Sequence, residues 1–228
     1  MSRVMSKKAV VKRLMEDWGG RFSAELGIEL ESHHSEEIFK WFLASILFGT
    51  RIGQHVAMQT YREFVKRGVL TPDGILKTGW DGLVEILDAG GYVRYDYRTA
   101  TKLLDIAEML NKRYDGDLNQ LHEEATDPRD LESKLMEFKG VGPVTANIFL
   151  RELREIWEKA DPLPGDLVIT AAQNLGFTTL GGKNDEERKK ILLDLERVWE
   201  REDLPYHFSD FEAALVKFGT EQRRKKHK

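Results

Sequence analysis

Two short segments carry residue types that can do chemistry. The first is Phe138-Lys139-Gly140-Val141-Gly142-Pro143-Val144-Thr145-Ala146. Glycines at 140 and 142 allow a tight hairpin between two helices, and proline suits the start of the helix that follows. The unfilled N–H groups of that helix start point outward and form an anion site that a DNA phosphate fits. The same letters also describe a plain turn between helices. The second segment is Leu163-Pro164-Gly165-Asp166-Leu167-Val168, in which an aspartate opens a helix. A carboxylate there either caps the helix or is held ready to stabilise positive charge or activate water.

Other chemistries have little to work with. The chain has no cysteine, which excludes disulfides, thiolate nucleophiles and Cys-ligated zinc or iron–sulfur clusters. Its histidines are scattered, and the adjacent pair His33-His34 would point in different directions from a helix. The net charge of −4 argues mildly against nucleic acid, but binding faces are local. The run Arg223-Arg224-Lys225-Lys226-His227-Lys228 is strongly basic and serves either as a frayed, solvated end or as part of such a face. No apolar run is long enough to span a bilayer, and the opening residues lack an apolar signal stretch, so a cytoplasmic protein is expected.

The elements that must position these segments are helical throughout. Ile38 to Phe48 is apolar on almost every face and reads as a buried central helix, begun near Ser35 and ended by Gly49. Gln54 to Arg67 follows, with Val56, Met58, Tyr61, Phe64 and Val65 as its apolar set. Thr71-Pro72-Asp73 restarts the chain, and Trp80 to Leu87 forms a short helix stopped by Gly90-Gly91. Tyr97 to Tyr114 is a long helix, and Leu131 to Phe138 leads into the hairpin. Thr145 to Trp157, Gly165 to Leu175, Glu186 to Trp199 and Phe208 to Phe218 complete the series, with Pro162 and Pro164 bracketing an extended link. No alternating strand pattern, repeat or low-complexity linker is present. Trp41, Phe42 and Phe48 are expected in the core, as are Trp157 and Trp199.

The hairpin segment resembles the helix-hairpin-helix of the endonuclease III (HhH-GPD) DNA glycosylase superfamily, in which an aspartate follows further along the chain. Leu163-Pro164-Gly165-Asp166-Leu167 is most similar to the 3-methyladenine DNA glycosylase II branch. The ending Ala172-Gln173-Asn174-Leu175-Gly176 is more like endonuclease III. Gly90-Gly91-Tyr92-Val93-Arg94-Tyr95 falls where the family has a Gly-Tyr turn, and Phe208 to Gly219 resembles its last helix. The likeness runs over roughly residues 36 to 220, and its specific parts are the hairpin and the aspartate.

The resemblance implies an all-α fold of two helical lobes. One is a central bundle over residues 34–145 that ends in the helix-hairpin-helix. The other is formed by residues 1–33 with 146–228, with the flipped base held between the lobes and Asp166 at the mouth. It implies a monomeric base-excision repair glycosylase that acts on double-stranded DNA carrying a damaged base. Asp166 would be the catalytic group. Lys139, Gly140, Val141, Gly142, Pro143, Val144 and Thr145 would meet the DNA backbone. Thr50 and Arg51 would line the DNA face, and Tyr92, Arg94 and Tyr95 would stack or wedge. For the two tyrosines, packing in the core is the competing role. Backbone carbonyls of Met136, Phe138 and Val141 could hold a structural monovalent cation; no other cofactor is implied.

Two departures from the family matter. Bifunctional members carry a lysine where this chain has Val144, so no Schiff base with the sugar can form at the usual place and a monofunctional enzyme is expected. The iron–sulfur loop has no counterpart, because there is no cysteine to ligate a cluster. Two other readings compete. One is a non-catalytic helix-hairpin-helix protein that recognises damaged or abasic DNA, and the other is a scaffold in which Gly140 to Pro143 is only a turn. The damaged base is not identified, although the Leu163 to Leu167 segment tilts toward alkylated bases.

Overall fold

The computed structural model describes residues 6–202 and 204–226, and these form an all-α fold. Its helices are α1 (Lys7–Trp18), α2 (Phe22–Glu25), α3 (Ser35–Phe48), α4 (Gln54–Lys66), α5 (Pro72–Ala89) and α6 (Asp96–Tyr114). They continue as α7 (Leu118–Glu124), α8 (Pro128–Met136), α9 (Pro143–Arg151), α10 (Asp166–Asn174), α11 (Asp185–Trp199) and α12 (Phe208–Lys226). A 3-10 turn at Leu30–Ser32 precedes α3. Among the described residues no helix is long and apolar enough to cross a membrane. The helices group into two compact units. One is continuous, Leu26–Asp161; the other joins the described residues up to Glu25 to those from Pro162 onward.

In the continuous unit α3 is the central helix. Ile38, Phe39, Trp41, Phe42, Leu43, Ala44, Ile46 and Leu47 are all buried, so the helix has no wet face over most of its length. It packs on α4, α7 and α9. Phe42 meets Phe138 and Phe149, and Trp41 donates its indole N–H to the Phe149 carbonyl at 3.0 Å. These contacts tie the helix to both arms of the hairpin. Truncating a buried aromatic such as Phe42 to alanine would cost about 3–5 kcal/mol.

The helix ends follow local rules. Thr71 caps α5 through Gly74 N–H, with Pro72 as the first helical residue. Asp127 caps α8 through Arg129 and Asp130, again before a proline. Gly79 takes a left-handed φ of 69° and divides α5 just before Trp80, which is why the segment reads as two helices in sequence. The short α7 was not expected; its signals are the Asp117 cap and the buried pair Leu118 and Leu121. The segment after the hairpin is helical from Pro143 to Arg151, ends well before the expected Trp157, and passes through turns from Glu152 to Ile156.

α4 is turned from the face its hydropathy suggests: Tyr61 and Phe64 point inward as expected, but Val65 does not. Ala57, Thr60, Tyr61 and Phe64 are buried, whereas Val65 is exposed. The cause is Gly90, whose missing side chain lets the end of α5 press directly on Thr60; a Cβ there would overlap the Thr60 backbone.

In the other unit α12 is the hub, packed on α1, α10 and α11. Gly219 lets α12 close on α10, since a Cβ would approach the Leu167 carbonyl to 2.8 Å. Phe211 is fully buried, stacked on Trp199 and tilted against Phe177 and Phe208. α12 runs on through Lys226, well past Phe218, and Arg223, Arg224 and Lys225 on its last turns are exposed. His227, Lys228 and the five opening residues lie outside the described residues.

Candidate active site and hairpin

The hairpin is built as its glycines require. α8 ends at Met136, Val141 N–H donates to the Phe138 carbonyl at 2.9 Å, and Gly140 adopts φ 79°. An L side chain at 140 would be strained and would crowd the Lys102 chain at 3.0 Å. Gly142 is the N-cap of α9, makes no side-chain cap bond and has open space where a Cβ would stand. Pro143 is the first helical residue, and Val144 beside it is 64% exposed. Val141 and Thr145 are buried and anchor the hairpin on the inside.

Several of the other sequence-predicted residues gather around the same helix start. A Cβ on Gly49 would overlap Thr145 Oγ1, so the end of α3 lies against the first turn of α9, and the Thr50–Gly53 loop leads away from it. Within that loop Ile52 N–H donates to the Thr50 carbonyl at 2.7 Å, and Arg51 is exposed. Tyr92 is fully buried and donates its hydroxyl to the Leu47 carbonyl at 2.9 Å. Burial pushes that phenol up to about 12, against the opposing effect of hydrogen bonds with the Thr50 and Thr99 side chains. Tyr95 is half-buried, with its ring edge on Tyr92 at 6.4 Å and the exposed Arg94 guanidinium 5.6 Å from its centroid.

On the hairpin's other side, Lys139 pairs with Asp105 of α6 at 2.8 Å. Lys102 of α6 lies over Gly140; burial, with the Arg98 charge adding to it, pulls its ammonium down to about 8. Lys102 was missed in the sequence. The signal that could have found it is its spacing from Arg98, four residues away on the same face of α6.

The carbonyls expected to hold a monovalent cation have the right chemistry. Among the described residues no backbone N–H donates to the Met136 or Val141 carbonyl, and Phe138 receives only the Val141 bond. Neutral oxygens that remain free at a tight turn suit a hard cation.

Asp166 lies in the other unit. It is the first residue of α10, and Gly165 takes the N-cap position without a side-chain bond. The carboxylate therefore stands in the first turn, where the helix dipole favours negative charge. It is 88% exposed and pairs with Arg188 at 2.6 Å. Arg188, on α11, also donates to the carbonyls of Pro164 at 2.7 Å and Gly182 at 3.1 Å. Nothing in the local sequence marks Arg188, which lies 22 residues further along and reaches Asp166 only through the fold.

No family model matches this chain, and no curated protein matches it. Among solved structures, the chain is similar in fold to 3-methyladenine DNA glycosylase (MagIII) of H. pylori bound to 1,N6-ethenoadenine. The TM-score is 0.60 at 13% identity, over 97% of this chain and 99% of that one. The likeness is one of fold, along nearly the whole of both chains.

Proposed function

We propose that the protein is a monofunctional DNA glycosylase of base-excision repair, acting on double-stranded DNA that carries a damaged base of the alkylated class. The observation that carries this is the exposed Asp166 carboxylate at the start of α10, in a chain whose fold matches that of a 3-methyladenine glycosylase along nearly its whole length. In the reaction the C1′–N bond breaks, its electron pair leaves with the base, and positive charge grows on the sugar. Asp166 stabilises that charge and accepts the proton of the water that bonds to C1′.

The hairpin supplies the grip on DNA. Gly142 and Val144 present unfilled backbone N–H groups to a phosphate, Pro143 between them having none to offer, with Lys139 and Lys102 as nearby cations. Lys139, Gly140, Val141 and Thr145 hold this surface in place, and Thr50, Arg51, Arg94 and Tyr95 extend it, with Tyr92 as their buried support. The carbonyls of Met136, Phe138 and Val141 would hold a monovalent cation, whose charge would favour the phosphate. Val144 presents no amine to the sugar, so the strand is not cleaved by β-elimination.

The test is a panel of duplexes, each with one lesion: an alkylated adenine or stable analogue, hypoxanthine, uracil, 8-oxoguanine, thymine glycol or an abasic site. Strand breaks that appear only after alkali, with no borohydride-trapped adduct, are expected for the alkylated base. Binding without release from any lesion would replace the glycosylase with a DNA-binding protein.

A further inference from the structure

Asp166 is one member of a corner where the Pro164–Asp166 run meets the loop before α11. The extended link before α10 contributes the Pro164 carbonyl, the loop before α11 contributes the Gly182 carbonyl, and α10 contributes the carboxylate. One guanidinium touches all three. Nη1 reaches Pro164 at 2.7 Å, Nε reaches Gly182 at 3.1 Å, and Nη2 reaches Asp166 Oδ1 at 2.6 Å. We infer that Arg188 is a positioning residue for Asp166: it fixes the carboxylate's orientation and leaves Oδ2 to face the reacting sugar and water. The inference rests on the glycosylase reading above.

The geometry sets this contact apart from an ordinary surface ion pair. Such a pair between two free side chains is worth little, because both must be ordered to make it. Here the guanidinium is already held by two backbone carbonyls and is only 27% exposed, while its partner carboxylate is 88% exposed. The cation is fixed by the fold, and the exposed anion is the group being held. A planar fork spreads its donors over three nitrogens at fixed angles and reaches acceptors set apart from one another; an ammonium must draw all its acceptors around one nitrogen.

The acceptors are fixed as well. Gly182 has φ 67°, and a Cβ there would overlap Ile169 of α10, so the loop sits directly on the helix that carries Asp166. Gln173 donates to the Leu180 carbonyl at 2.9 Å, and Lys183 N–H donates to Glu187 at 3.0 Å. Asn184 caps α11 through Glu187 N–H at 2.9 Å. The loop is thereby pinned at both ends to the helices that carry the pair.

Single-turnover base release by the full chain tests this with Arg188→Met and Arg188→Lys, each alone and combined with Asp166→Asn, alongside thermal melting and DNA affinity. Arg188→Met should slow release by about 10- to 100-fold, the scale for loss of a group that orients a reactive ligand. DNA affinity should change less than threefold, and added methylguanidinium should restore part of the rate. In the Asp166→Asn background the same change should cost nothing further, because Arg188 acts through Asp166. Arg188→Lys keeps the charge and the fold but should still lose most of the rate. Full activity in Arg188→Met, or losses that multiply with Asp166→Asn, would overturn the positioning role while leaving the glycosylase intact. If Arg188→Met melts early, Arg188→Lys decides: a parent-like rate overturns the inference. A parent chain that releases no base overturns the glycosylase reading and this one with it.

Discussion

α9 and α10 begin alike. Each has a glycine N-cap, Gly142 or Gly165, that offers no side-chain bond to the first turn. By contrast α1, α5, α7, α8 and α11 close that turn with Ser6, Thr71, Asp117, Asp127 and Asn184. The difference between the two glycine starts lies in the next residues. α9 continues with Pro143 and Val144 and has no acid in its first turn. α10 places Asp166 there and backs it with Arg188. One helix start is left open to an anion from outside; the other provides its own. On the reading proposed above, the same backbone device serves binding in one unit and catalysis in the other, and a single side chain decides which.

Removing the internal anion should have the largest effect. Asp166→Asn is expected to lower single-turnover base release by at least about 100-fold with little change in DNA affinity. Unchanged release would end the distinction between the two starts. The converse change gives α9 an anion of its own: Val144→Glu places a carboxylate where a phosphate is proposed to sit. Val144 is exposed, so the fold should hold, and duplex affinity should fall about tenfold at low salt, with a shallower salt dependence. Equal affinity would remove α9 from the DNA surface.

Two smaller effects concern the hairpin's stability. Gly140→Ala meets both the positive φ and the Lys102 chain and should cost about 1–2 kcal/mol, read by denaturant unfolding. Lys102→Met should stabilise the free protein by about 1 kcal/mol at pH 7. The folded ammonium loses its proton near 8, whereas the unfolded one keeps it until its ordinary, higher value. Between those two values the unfolded chain binds more protons, so the parent gains stability as pH rises through that window. The Met variant lacks this gain, and melting at pH 7 and pH 10 would show the difference shrinking. A constant difference would mean that Lys102 is not held charged against burial.

Much of the fold was legible because its signals are local. Prolines at 72, 128 and 143 stand at the first helical position, and the largely apolar Ile38–Phe48 run is the central buried helix. What was not legible depends on residues far apart in the chain. The face of α4 is set by Gly90, whose lack of a side chain admits the end of α5 against Thr60. Hydropathy placed Val65 inward because it cannot register that approach. The two segments with chemical residue types were also visible, since glycine, proline and aspartate act where they stand. Arg188 was not: Pro164 and Asp166 lie more than twenty residues before it in the chain, and the packing of Gly182 on Ile169 brings its loop to them.

The unit that carries Asp166 is assembled from both sides of the continuous one. That order has a consequence during synthesis. α1 leaves the ribosome about 150 residues before α10, a delay of roughly 10–30 s at ordinary elongation rates. Throughout that interval Val11, Leu14 and Met15 lack the α12 surface that covers them, whereas Leu26–Asp161 can close on its own core by the interval's end, before α12 has been made. The nascent chain therefore presents a short, sticky amphipathic helix tethered to a folded domain, a substrate for holding chaperones until the last helices arrive.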